Sequence, residues 1–168
     1  MSLTQALIAE IEHESASTKN ILERVPAEKF DWAPHGKSMT LKKLATHIAT
    51  LAGMPGFIAS SPYLDFAEGK FRVPEINTTA DLVKAMEDAT TKTIVALKAI
   101  KDEELNTTWS MRRGEHVIVE APKVVAIRTM GLNHLYHHRG QLSVYLRLLN
   151  IPIPGMYGPS ADDREMAK

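Results

Sequence analysis

Cysteine is absent from the 168 residues, which removes disulfides, thiolate metal ligands and cysteine nucleophiles together. Any metal here must be held by nitrogen and oxygen, and the absence is compatible with a reducing compartment. A surplus of either charge is missing too, because Lys plus Arg and Asp plus Glu each total 20. Nucleic acid and acidic membrane surfaces are therefore poor partners. No apolar run approaches 18 residues, and the opening "MSLTQALIAEIEHESAS" carries charges within its first dozen positions. Neither a signal peptide nor a spanning helix is expected, and a soluble, cytoplasmic protein follows as the expectation. There is no GxSxG elbow and no glycine-rich loop of the P-loop or dinucleotide type. Ser143 sits five residues after His138 and projects to a different helical face, so its spacing does not make it a nucleophile.

What is present is enough apolar material for one core, with 44% hydrophobic and 24% charged residues, and one domain over residues 1–168 is expected. Four stretches carry helical spacing. The first runs from about Leu3 to Arg24 with an apolar stripe through Leu7, Ile11, Thr18, Ile21 and Val25 that also contains Glu14. Pro26 closes it. Thr40 is placed to cap a second helix through Leu41, Leu44, Ile48 and Leu51, weakened near its end by Gly53, Pro55 and Gly56. "SSPYLDFAEGKFRVPEIN" reads as a loop. Thr78 and Asp81 resemble a capping box for a third helix through Leu82, Met86, Ala89, Thr93, Leu97 and Ile100. "TWSMRRGEHVIVE" alternates weakly around Arg113-Gly114 and predicts a short hairpin, and Pro122 starts a fourth helix reaching about Leu149. The economical architecture is all-α, an antiparallel four-helix bundle with a hairpin-like insertion before the last helix.

Seven histidines occur, three of them within "NHLYHHRGQL", residues 133–142. Read in heptads, the inner seam of the last helix takes Val124, Gly131, Leu135, His138, Leu142, Tyr145 and Leu149. His138 therefore points inward. His134, one turn earlier, flanks the same seam, and His47 in "LKKLATHIATL" flanks the seam of the second helix. A histidine pair one turn apart plus a third from a facing helix forms a facial three-nitrogen set. That set leaves one open position on a tetrahedral ion and up to three on an octahedral one. Two packed core histidines without a metal are the costlier reading, since each ring would need partners in an apolar interior. His13, His35, His116 and His137 read as solvated or loop residues. Glu14, an acid on an apolar stripe, suits a fourth ligand or a nearby base, with the ion as its best available cation. Arg128, Arg139 and Arg147 suit either salt bridges or a substrate, and the two aspartates of "GPSADD" read as local hydrogen-bonders.

"LKKLATHIATL" together with "NHLYHHRGQLSVYLRLLNIPIPGMYGPSADD" resembles the DinB family, the damage-inducible, YfiT-like group of bacterial metal-binding four-helix bundles. The resemblance spans essentially the whole chain and is most specific in the last helix. It implies one divalent ion per chain, nickel or zinc, held by His47, His134 and His138, the set that the heptads also select. It further implies a homodimer and, by analogy with relatives, a metal-dependent enzyme that activates a low-molecular-weight thiol for transfer to an electrophile. Metal-assisted hydrolysis is the enzymatic alternative, and a noncatalytic metal- or ligand-binding stress protein the alternative from another class. Despite the family's name, nothing resembles a DNA polymerase.

Overall fold

Ser2 begins the first helix with a reciprocal cap: its hydroxyl accepts from the Gln5 amide at 3.2 Å and the Gln5 side chain accepts from the Ser2 amide at 2.9 Å. The Asp102 carboxylate, distant in sequence, takes the amides of Leu3 and Thr4 at 2.7 and 3.0 Å. These bonds fix where α1, Leu3–Leu22, enters the fold. A computed structural model describes residues 1–69 and 72–166. Along α1 the expected stripe is inside, Leu7, Ile11, Thr18 and Ile21 being buried together with Glu14.

Thr40 caps α2, Leu41–Leu51, by accepting from the Lys43 amide at 3.3 Å, as its position predicts. The Gly53-Pro55-Gly56 stretch does more than weaken that helix. A further helix α3, Met54–Ser60, follows it, with proline in its first turn. Gly56 is required there because a Cβ would lie 2.5 Å from Thr93 Cα on α4. The Thr78–Asp81 capping box is present and opens α4, Thr79–Ala99. α1 packs against α4 and against the last long helix, His134–Leu148, and α2 packs against the same two helices.

The all-α expectation is corrected by a small sheet. β1, Tyr63–Asp65, runs parallel to β2, Thr108–Arg113, which pairs antiparallel with β3, His116–Pro122. The hairpin turns at Gly114 with φ of 59°, a conformation that glycine tolerates. β1 was hidden in an expected loop because three residues are too short to show alternation. The protein is thus mostly helical with a three-stranded sheet. Trp109 on β2 is fully buried, and its indole N–H donates to Ser61 Oγ at 3.3 Å.

The last long helical stretch is not uniform. Pro122 is the cap rather than an inner residue, α5 spans Lys123–Ala126, a π-helical segment spans Ile127–Asn133, and α6 spans His134–Leu148. The spacing of inward residues explains the wide turn: Ala126 and Gly131, then Ile127 and Leu132, are buried pairs five residues apart. An α-helix rotates such pairs about 140° from one another, whereas i→i+5 hydrogen bonding aligns them. Gly131 also sits against Pro55, where a Cβ would come within 2.9 Å of the ring. Beyond the π segment the buried positions are Leu135, His138, Arg139, Leu142 and Leu146. The heptad seam thus holds through Leu142 and then gives way to Leu146 in place of Tyr145, because a straight helix drifts from a seven-residue repeat. Asn150, with φ of 57°, ends the helix.

Candidate metal centre

α2 and α6 face one another, and their contact brings His47 to His134 and His138. The Nε2 atoms of His134 and His138 are 3.0 Å apart, and those of His47 and His134 are 3.4 Å apart. One nitrogen from each of the three rings lies within 4.8 Å of the others. Nitrogens placed about 2.1 Å from a common ion stand about 3.0 Å apart at right angles and about 3.4 Å apart at tetrahedral angles. The spacings of 3.0 and 3.4 Å that His134 makes to the other two rings fall at these values.

The outer ring nitrogens are occupied. His138 Nδ1 pairs with Gln141 Oε1 at 2.7 Å. The other nitrogen of the His134 ring donates to the Met130 carbonyl. The π segment helps, because the backbone N–H of His134 bonds to the Gly131 carbonyl instead. Proton-bearing Nδ1 atoms leave bare lone pairs on both Nε2 atoms, as in rings that serve as metal ligands. Two lone pairs 3.0 Å apart repel unless a cation lies between them. The donor set therefore fits a divalent ion. Burial also lowers the His47 pKa to about 4, assisted by the charges of His138 and His134, and burial lowers that of His134. Neutral imidazoles are the form that binds metal.

These shifts have a consequence for the metal-free protein. A histidine whose folded pKa lies below its unfolded value of 6.5 takes up its proton more readily when unfolded. Its contribution to stability is complete above pH 6.5 and declines as pH falls toward about 4. Chelator-treated protein should lose melting temperature across that interval, and His47→Gln should show a shallower loss. Equal slopes for the two proteins would refute the assignment.

His137 lies on the exposed side of α6, although its ring meets that of His138 edge-on at 4.9 Å between centroids. Glu14 stands outside the three-nitrogen group. Its cation is Arg139, not the ion that the sequence reading offered it. Arg139 Nη2 donates to Glu14 Oε2 at 2.5 Å, and Nη1 donates to the Glu14 backbone carbonyl at 3.1 Å. The Tyr157 hydroxyl bridges both, accepting from Arg139 at 2.7 Å and donating to Glu14 at 3.1 Å. With Arg139 2% exposed and Glu14 9% exposed, this is a buried ion pair. Its signal lay in the sequence: Leu135, Arg139, Leu142 and Leu146 step by four, three and four, so Arg139 shares an inward stripe. Arg147 and Asp162 form a surface pair at 2.6 Å, and Asp163 accepts from the amides of Gly155 and Ser160, the local role expected of "GPSADD".

The sequence profile of the DinB family matches residues 1–167. The uncharacterized protein YrdA of Bacillus subtilis (strain 168) is 24% identical over 159 residues, covering 90% of this chain and 86% of that protein. Among crystal structures, a DinB-like protein from Bacillus cereus ATCC 10987 superposes with a TM-score of 0.68 at 21% identity, covering 91% of this chain and 97% of the other. A putative member of the DinB family from Exiguobacterium sibiricum 255-15 gives a TM-score of 0.68 at 20% identity, covering 96% and 98%. At these identities the structures establish the likeness of fold.

Proposed function

Because the chain belongs to the DinB family, we propose that its three-histidine cluster holds one divalent ion, nickel or zinc, and activates a low-molecular-weight thiol for transfer to an electrophile. The observation that carries this reading is the convergence of three Nε2 atoms at 3.0 and 3.4 Å, with no fourth ligand in the group among the described residues. A divalent ion held there would stabilise the deprotonated form of what it binds and so favour the thiolate of a small thiol.

The chain's own residues supply the setting. His47, His134 and His138 would hold the ion, and His47 and His134 are only half-buried. Gln141 and the Met130 carbonyl hold two rings in the ligating tautomer. In the net reaction the thiol proton passes to solvent, sulfur bonds to the electrophilic carbon, and the leaving group departs with its electron pair.

A homodimer belongs to the same reading, supported by Val144 and Leu148, which are 57% and 58% exposed on α6. Residence in the cytoplasm does too, supported by the lack, among the described residues, of any helix long and apolar enough to cross a membrane.

The test is conjugation of a small thiol, such as cysteine, to monochlorobimane, followed by fluorescence. Nickel- or zinc-loaded protein should accelerate the reaction, and chelated protein and His138→Ala should not. Metal binding without any acceleration by a panel of small thiols would leave the chain a noncatalytic binder and overturn the transferase reading.

A further inference from the structure

A second cavity, of about 560 Å³, lies away from the three histidines. It is bounded by α3, by the outer face of α4 and by the segment around Val73. α4 floors it with the small side chains of Ala85, Ala89 and Ala96, and a Cβ on Gly53 would stand in ordinary contact, 3.5 Å from Ala89 Cβ. Room remains between the helix and the segment above it. Met54, Phe57, Leu64, Val73 and Pro74 add apolar wall beside the hydroxyls of Thr50, Ser60 and Thr93, and Phe57 and Val73 are poorly covered, at 41% and 62% exposure. A volume of this size lies within the range of sites for small organic ligands.

Charge decides the class of ligand. Arg72 and Lys92 line the rim, both exposed, and neither has a hydrogen-bond acceptor among the described residues. Asp88 lies on the same rim, bonded to Lys84 at 2.8 Å and attracted by Lys92 as well, so one carboxylate stands against two rim cations. The rim is therefore net positive above an apolar floor.

We propose that this cleft is a binding site for a small amphipathic anion, an aromatic or short-chain carboxylate or sulfonate. Its apolar body would lie on the alanine face of α4 and its anionic head between Arg72 and Lys92. Thr50, on α2, lines the cavity, its hydroxyl donating to the His47 backbone carbonyl one turn earlier at 2.9 Å. Occupancy of the cleft does not depend on thiol chemistry at the histidines.

The test is a titration of alanine-methyl-labelled protein with 1-anilinonaphthalene-8-sulfonate, followed by NMR. The methyls of Ala85, Ala89 and Ala96 should shift together and saturate at about one equivalent per chain. Arg72→Glu with Lys92→Glu, both surface changes, should weaken binding at least about tenfold, and so should replacing the probe with uncharged N-phenyl-1-naphthylamine. Ala89→Phe should abolish the shifts in a protein whose circular dichroism remains native, and if that variant does not fold, the charge-reversed protein decides. Shifts that spread over the surface without saturating, or equal affinity in the charge-reversed protein, would overturn the proposal. Since metal content is not needed for this readout, its failure is separable from failure of the transferase reading.

Discussion

Alanine at His134 or His138 is expected to weaken nickel or zinc binding by more than about a hundredfold, because loss of even an outer hydrogen-bond partner of a ligand costs about 10- to 100-fold. Each of these rings contributes one of the three converging Nε2 atoms, and His134 stands next to both others, at 3.0 and 3.4 Å. Gln141→Leu should fall in the lower range, since it frees the His138 ring without removing it. His137→Ala should bind nearly as wild type does, because that ring projects from the exposed side of α6. Calorimetric titration of untagged, chelator-stripped protein reads all four. Binding by His138→Ala as tight as wild type, or a loss in His137→Ala as large as in His138→Ala, would remove the three-histidine assignment.

Arg139→Met is expected to destabilise the protein by about 3–5 kcal/mol, because it strands a buried carboxylate without its cation. For a chain of this size that corresponds to a fall in melting temperature of about 6–20 °C. The guanidinium also binds Thr18 Oγ1 at 3.1 Å and lies over Tyr136 and Tyr157 with its carbon 5.1 and 5.4 Å from their ring centroids, so more than charge is lost. Pairing it with Glu14→Leu should recover much of the loss, since the cost arises from one charge left alone and not from absence of the pair. Thermal melts of wild type, both single variants and the double variant form the cycle. A melting temperature for Arg139→Met within about 2 °C of wild type, below 1 kcal/mol, would show that water reaches Glu14 and that the pair is not a buried one.

Much of this was legible in order of residues alone, for definite reasons. Caps rest on three or four neighbouring residues, so Thr40 and the Thr78–Asp81 box could be read directly and are present. The histidine cluster could be read because His134 and His138 are one turn apart and His47 lies on a helix with an unambiguous stripe. β1 could not, because three residues gain strand geometry only by pairing with Ser110, Met111 and Arg112, far along the chain. Glu14 was recognised as anomalous, but its partner was not. Arg139 shares the inward stripe of Leu135, Leu142 and Leu146, but only the packing of α6 against α1 shows that the partner it meets there is Glu14.

The π segment gives the chain an unusual kind of dependence on residue count. Each residue added to or removed from a helix turns everything beyond it by about 100°, so His134, which begins α6 directly after Asn133, takes its bearing from the seven residues before it. Of those residues Met130 lends its carbonyl to the His134 ring, while the side chains of Ile127 and Leu132 belong to the half of the core that contains Trp109. The pair's aim toward His47 is thus set in a different part of the molecule from the one where it is used. Substitutions among Ile127–Asn133 that keep the wide turn preserve that aim, whereas an ordinary α-helix over the same seven residues would swing both rings off the α2 side while leaving every ligand in the sequence.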